Sequence, residues 1–332
     1  MKPKISICIP AFNQRPEYLR TCLSSALNQE FDSLEIVVSD NHSTNNCMEV
    51  LNEFQDKRLR LVVPPRHCEM KDNFAFCADQ STGEYINFLP SDDFLLPGFC
   101  SRLVKILDEH VNIVFAHCAC TLVNGEGLDI GFERSIHPSF VRTGVEELQR
   151  YVWGMRCVLS ATLIRRTAYN QVGGLAVVRD MVGDWDLCLR LLRLGDVAYC
   201  SDVLAGYRWW STPTREKRFL AKVRDTRQLY DRLYADGTAA LLHGGAVTLR
   251  KARQSWARNY ATGFNNADLS EDELAEMVGE IQLLDNSLGV RARLSMVRAG
   301  LGPIFAGKQR VQGWLRQRVK ALLYPATETR TG

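Results

Sequence analysis

Asp92 and Asp93 follow directly on the apolar run Tyr85-Ile86-Asn87-Phe88-Leu89, and Asp40 follows on Leu34-Glu35-Ile36-Val37-Val38-Ser39. Neighbouring carboxylates repel, and a hard cation with oxygen ligands, Mg²⁺ or Mn²⁺ shared with a phosphate, relieves that repulsion most simply. A single carboxylate at a second site suits ribose hydroxyls or a base N–H, because it accepts two hydrogen bonds in one plane. The plain alternative for Asp92-Asp93 is an Asx-type turn ahead of the helix near Pro97. A second acidic pair, Asp184 and Asp186, brackets Trp185 just before the apolar stretch from Leu187. Carboxylates at a helix start cap N–H groups and complement the dipole.

The elements that must position these residues alternate. Ile5-Ser6-Ile7-Cys8-Ile9 is a β-branched run closed by Pro10, as expected of a strand buried on both faces. Pro16 opens a helix in which Tyr18/Leu19, Cys22/Leu23 and Ala26/Leu27 recur at helical spacing. The strand ending at Asp40 is followed by a helix to about Phe54, by a strand over Leu59–Val63, and by helical residues from Asn73 to Ala78. The Tyr85–Leu89 strand comes next. Such alternation predicts an α/β fold with a doubly wound, mostly parallel sheet. Ligands of these sheets sit beyond the carboxyl ends of the strands, where Pro10-Ala11-Phe12-Asn13, Asp40 and Asp92-Asp93 converge. Neither a glycine-rich dinucleotide fingerprint nor a Walker lysine loop follows the first strand, which argues against ordinary Rossmann oxidoreductases and P-loop NTPases.

Taken in order, Ile7-Cys8-Ile9-Pro10-Ala11-Phe12-Asn13, Glu35-Ile36-Val37-Val38-Ser39-Asp40-Asn41-His42-Ser43, Asn73, and Gly83 to Leu89 with Ser91-Asp92-Asp93 resemble a family 2 glycosyltransferase of the GT-A fold. The resemblance covers roughly the first two-thirds of the chain. It implies that Pro10, Phe12, Asn13 and Asp40 hold the nucleotide and that Asp92 approaches ribose or metal. It assigns the Mn²⁺ or Mg²⁺ on the diphosphate to Asp93. Pro90 stands where many relatives carry a further acid. Met70-Lys71-Asp72-Asn73 resembles a variant that brings Lys71 near the donor, with Asn73 in the same segment. Asp184 falls where the family keeps a Glu-Asp pair whose Asp is the catalytic base, with Gly183 in place of the Glu. Tyr207-Arg208-Trp209-Trp210 resembles the segment after the last core strand. Arg208 is there expected on the diphosphate, and the tryptophans replace a metal-binding His.

Between these motifs, Asn112–Ala116 and Val158–Ile164 read as strands, a helix runs from Pro97 to about Asp108, and Asn124–Phe140 reads as an acceptor-side loop with little regular structure. From Thr214 the pattern is helical, with Ser270-x-x-Glu273 as a capping box behind Leu269. Arg291, Arg293, Arg298, Lys308, Arg310, Arg316, Arg318 and Lys320 follow with no intervening acid. Apolar stripes accompany them, Val290/Leu294/Val297 and then Val311, Trp314/Leu315, Val319 and Leu322, broken by Gly302-Pro303. Basic amphipathic helices of this kind bind membrane surfaces or pack on a core.

The 332 residues are 46% hydrophobic and 24% charged, ordinary globular composition, and a net charge of +3 gives no reason to expect a nucleic-acid partner. The 11 cysteines lack paired spacing and sit in apolar surroundings, as reduced core residues do. Cys118 and Cys120 with His117 offer a weak zinc alternative. The expected organisation is a catalytic domain over 1–212 and a helical extension over 213–332. No apolar run approaches a membrane span, so a cytoplasmic protein is expected, peripheral at the inner face of the cell membrane if the basic helices bind there. The resemblance implies inverting transfer of a sugar from a nucleotide-diphosphate donor to a carbohydrate or lipid-linked acceptor, in bacterial surface-polysaccharide or glycolipid assembly. A nucleotidyltransferase, or a non-catalytic nucleotide-sensing or membrane-scaffold protein, is the alternative.

Overall fold

The computed structural model describes residues 2–133, 138–175, 181–209, 214–263 and 270–297. In chain order the first part contains β1 (Ile5–Ala11), α1 (Pro16–Leu27), β2 (Leu34–Asp40), a 3₁₀ helix over Asn46–Glu53, β3 (Leu59–Val62), α2 (Met70–Asp79), β4 (Tyr85–Phe88) and β5 (Phe94–Leu95). There follow α3 (Phe99–Glu109), β6 (Ile113–Val123), β7 (Asp129–Glu133), β8 (Phe140–Arg142), α4 (Gly144–Tyr151), β9 (Thr162–Arg165), α5 (Arg166–Gln171), α6 (Gly183–Leu191) and β10 (Asp196–Arg208). The remaining helices are α7 (Thr214–Ala235), α8 (Gly245–Gly263), α9 (Glu271–Leu284) and α10 (Leu288–Met296).

The strands form one sheet in the order β3-β2-β1-β4-β9-β6-β10-β5, with β7 beside β6 and β8 beside β10. β3, β2, β1 and β4 pair in parallel, as do β6 and β10. β9 lies antiparallel between β4 and β6, so those two strands point the same way. All the long strands therefore end on one edge. Every residue of β1 is buried, because helices cover both faces. Ile5, Ile7 and Ile9 join Leu19, Leu23 and Ala26 of α1 and Leu103 and Leu107 of α3 in one cluster. On the opposite face, Cys8 reaches the Cys77 carbonyl of α2, and Phe88 meets Phe74 and Tyr169.

Two stretches differ from their sequence pattern. Asn124–Phe140, expected as loop, contains β7, which pairs antiparallel with Cys120–Val123 of β6. Only Thr162–Arg165 of the expected Val158–Ile164 strand is extended, because Leu159–Ala161 turn as a 3₁₀ helix.

The chain divides into two compact units, 1–213 with 233–246, and 214–232 with the residues from 247. The segment Leu233–Ala246, expected with the extension, thus belongs to the sheet unit. Gln149 donates to the Leu241 carbonyl at 2.9 Å and Arg193 pairs with Asp236 at 2.7 Å there. In the helical unit Thr226 and Tyr260 hydroxyls meet at 2.8 Å and Arg224 and Arg227 converge on Glu280. Ser270 and Glu273 form the expected reciprocal cap of α9. Val290, Leu294 and Val297 are buried, as their spacing predicts. The basic stretch from Arg298 to Lys320, the stripe from Val311 to Leu322, Gly302-Pro303, Leu269 and Trp210 lie outside the described residues. Among the described residues no helix is long and apolar enough to cross a membrane.

Candidate active site

The ends of β1 and β2 are laced together by short polar side chains. Asn13 adopts a left-handed backbone, φ 47°, which Asn tolerates better than most residues. In that conformation its side-chain oxygen accepts the Thr44 N–H at 2.7 Å, and its own N–H donates to Ser43 Oγ at 2.9 Å. Asp40 Oδ1 accepts the Ser43 N–H at 3.0 Å, an Asx turn at the strand end. Phe12 is 47% exposed, its ring 4.8 Å from that of His67. His67 went unnoticed in the sequence, since it reaches this edge only through a hydrogen bond between its Nδ1 and the Asn41 carbonyl at 3.0 Å.

Two residues expected on the nucleotide are buried. Pro10 is buried within β1, in register with Ser39. Asn73 is 3% exposed, its Oδ1 accepting from Ser39 Oγ at 2.6 Å and its Nδ2 donating to the Ser39 carbonyl at 3.2 Å. Lys71, half-buried in the first turn of α2, stands 4.0 Å from the Asp72 carboxylate.

Beyond β4 the two adjacent acids part company. Asp92 is half-buried, whereas Asp93 is 1% exposed and its Oδ1 accepts the Arg208 N–H at 2.8 Å. Its Oδ2 is buried with no hydrogen-bond partner among the described residues. Burial first, then the Asp92 charge, pushes the Asp93 pKa well above the carboxylate range, and the Arg208 N–H offsets this only in part. The acid expected to carry the ion therefore lies beneath the turn, and Asp92 is the outer one. Arg208, expected on the diphosphate, is also engaged underneath. Its Nε donates to the Asp92 carbonyl at 3.0 Å and its Nη1 to the Asn124 carbonyl at 2.9 Å.

Topology brings Asp184 to the same edge. α6 ends next to Leu192–Gly195, and the Asp196 N–H then donates to the Asn112 carbonyl at the start of β6. Its 9 residues run back about 13 Å at 1.5 Å per residue, so its first turn lies toward the strands' carboxyl ends. Asp184 in that turn is half-buried, and its Oδ1 accepts the Trp185 N–H at 2.7 Å. The Trp185 indole donates to the Tyr151 carbonyl at 2.6 Å and locks the turn. Asp186 is fully buried and pairs with Arg190 at 2.8 Å. Arg190 in turn donates to the Gly174 carbonyl at 2.6 Å. Trp209 is 42% exposed, and Trp153, two residues beyond α4 and not singled out from the sequence, is 44% exposed.

The oxygen chemistry of Asp92 fits a hard divalent ion. Among the described residues no three His, Cys, Asp or Glu side chains come together to cage a metal, so the protein's share of such a shell is small and the remaining ligands would be phosphate and water oxygens. His117, Cys118 and Cys120, the weak zinc alternative, form no such group: Cys118 and Cys120 lie in the core cluster with α1 and α3, whereas His117 packs on Phe115, Phe140 and Tyr199. All 11 cysteines are free thiols, as their apolar settings implied. His117 sits inside the sheet, where burial and the Arg156 charge push its pKa down to about 3.

Glycosyl transferase family 2 matches residues 6–173. The chain is 34% identical over 128 residues to the GalNAc(5)-diNAcBac-PP-undecaprenol beta-1,3-glucosyltransferase of Campylobacter jejuni, covering 38% of this chain and 40% of that protein. It is 36% identical over 127 residues to the chondroitin synthase of Pasteurella multocida, covering 38% of this chain and 13% of that one. The chain thus spans well under half the length of either relative. Among solved structures, S. aureus TarS 1–349 in complex with UDP-GlcNAc superposes with a TM-score of 0.66 at 16% identity, covering 91% of this chain and 89% of that one. This likeness carries the fold, a GT-A sheet with a helical C-terminal region.

Proposed function

The chain belongs to glycosyl transferase family 2, and on that premise we propose that it moves a sugar from a nucleotide-diphosphate donor to an acceptor hydroxyl with inversion, in polysaccharide or glycolipid assembly. What supports the reading is that two half-buried carboxylates, Asp184 in the first turn of α6 and Asp92 in the turn after β4, are both carried by the chain's path toward the carboxyl ends of the parallel strands. Phe12, Asn13 and Asp40 line the nucleotide end, with His67 against the Phe12 ring, and Lys71 in the first turn of α2 is the cation assigned to the donor. Asp92 would hold a Mn²⁺ or Mg²⁺ ion, and such an ion would supply charge balance to the leaving diphosphate. Asp184 takes the proton of the attacking hydroxyl, and the Trp185 and Tyr151 contact keeps its turn in place.

A lipid-linked or saccharide acceptor follows from what the relatives' names describe, and the exposed Trp153 and Trp209 suit the face of a sugar ring. The basic run from Arg291 to Lys320 suits an acceptor presented at an anionic membrane, where each Lys or Arg contributes about 1 kcal/mol. Incubating the full chain with Mn²⁺ and a panel of nucleotide sugars tests the reading. Slow, metal-dependent donor hydrolysis is expected. No turnover of any donor, with no nucleotide diphosphate bound, rejects it.

A further inference from the structure

We propose that Arg208 is a positioning residue that couples the turn between β6 and β7 to the Asp92 carboxylate, so that a shift of that turn changes how firmly the donor is held. The proposal rests on the donor reading above and assigns it a part that no motif supplies. Arg208 is 5% exposed and ties three segments distant in sequence. Its backbone N–H donates to the Asp93 carboxyl at 2.8 Å, while its own Nε donates to the Asp92 carbonyl at 3.0 Å, a reciprocal clasp on the acidic turn. Through Nη1 it also donates to the Asn124 carbonyl at 2.9 Å and to that of Gly125 at 3.4 Å.

The β6–β7 turn is built to be held there. Asn124 Oδ1 accepts the N–H groups of Glu126 and Leu128 at 3.0 and 2.9 Å, and Gly127 takes a left-handed φ of 82° with room for a Cβ only 3.9 Å from Arg208 Nη1. Tyr18 closes the clasp from α1. Its ring lies 4.1 Å from the guanidinium carbon and its hydroxyl donates to the Gly125 carbonyl at 2.6 Å. The Trp209 N–H adds a bond to the Val123 carbonyl at 2.8 Å. The planar guanidinium donates from Nε to one segment and from Nη1 to another in a fixed geometry, which the single ammonium nitrogen of lysine, on its flexible stem, does not reproduce. A side chain that merely stabilised the fold would leave donor affinity unchanged in a variant that still folds.

The test is calorimetric titration of the full chain with Mn²⁺ plus UDP, GDP or ADP, beside thermal melting. Arg208→Lys is expected to weaken the best of these about tenfold, and Tyr18→Phe, which keeps the ring and loses one hydrogen bond, about threefold. Gly127→Ala strains the turn without touching Asp92 and is expected to weaken binding in the wild-type background. In the Arg208→Lys background it should add nothing, because the connection is already cut. Should Arg208→Lys fail to fold, the same cycle with Tyr18→Phe gives the reading. Additive losses, or unchanged affinity in folded variants of a wild type that binds, overturn the proposal alone. A wild type that binds none of the three nucleotides overturns the donor reading, and this proposal with it.

Discussion

Asp92-Asp93 and Asp184/Asp186 are two acidic pairs at one edge of the sheet, each with one half-buried and one buried carboxyl. They differ in what answers the buried member. Asp186 meets the Arg190 guanidinium, a full opposite charge that is itself bonded to a main-chain carbonyl, and the result is a paired charge. Asp93 meets a backbone N–H and the like charge of Asp92, and the result is a carboxyl driven toward its neutral form. A buried ion pair braces the helix start beneath Asp184, whereas the turn beneath Asp92 rests on hydrogen bonds from Arg208. On the proposed roles, a braced helix start suits the base, and a turn held through one side chain suits the carboxylate that admits the donor.

The strongest way to break this contrast is Asp184→Asn. The variant should lose about 10²–10⁴-fold in transfer rate, about 3–5 kcal/mol of transition-state stabilisation, with donor affinity and melting temperature near wild type. Initial rates measured beside donor binding decide it, and near-normal transfer would leave Asp184 a helix-end residue only. Next in size, Asp186→Ala strands the Arg190 charge in the interior and should cost about 3 kcal/mol in denaturant unfolding. A loss within error would mean that this pair is no stiffer than the other.

Asp92→Asn should weaken Mn²⁺-dependent nucleotide diphosphate binding about a hundredfold, near 2.7 kcal/mol, with Asp93→Asn within about threefold of wild type. The reverse order would return the ion to Asp93. His117 sharpens the same lesson, as a buried base kept neutral. Its folded pKa of about 3 lies below the unfolded 6.5, so as pH falls below 6.5 the unfolded chain gains a proton that the folded one refuses. Stability should drop by about 2 kcal/mol between pH 7 and pH 5, and His117→Gln should flatten that slope in melts at the two pH values.

Which carboxylates end which strands is a local matter, and the amino-acid order alone determined it. Ile5–Ile9, Leu34–Ser39 and Tyr85–Leu89 read as strands because burial on both faces leaves unbroken apolar runs, and the residue after each run has to lie at the sheet edge. The helix start at Asp184 is legible for the same reason, since an acid ahead of an apolar repeat marks a first turn. The strand β7 was not legible, because Asp129-Ile130-Gly131-Phe132-Glu133 is a weakly patterned stretch carrying a glycine, although its hairpin partner Cys120–Val123 lies close by in sequence. Nor was the division of labour within each motif. Asp93 is buried by Arg208, 115 residues away, and Asn73 by Ser39, 34 residues away. His67 joins Phe12 through the Asn41 carbonyl. Whether a polar side chain faces a ligand or holds up the backbone depends on partners that only the closed sheet brings within hydrogen-bond reach, and a short-range pattern carries no trace of them.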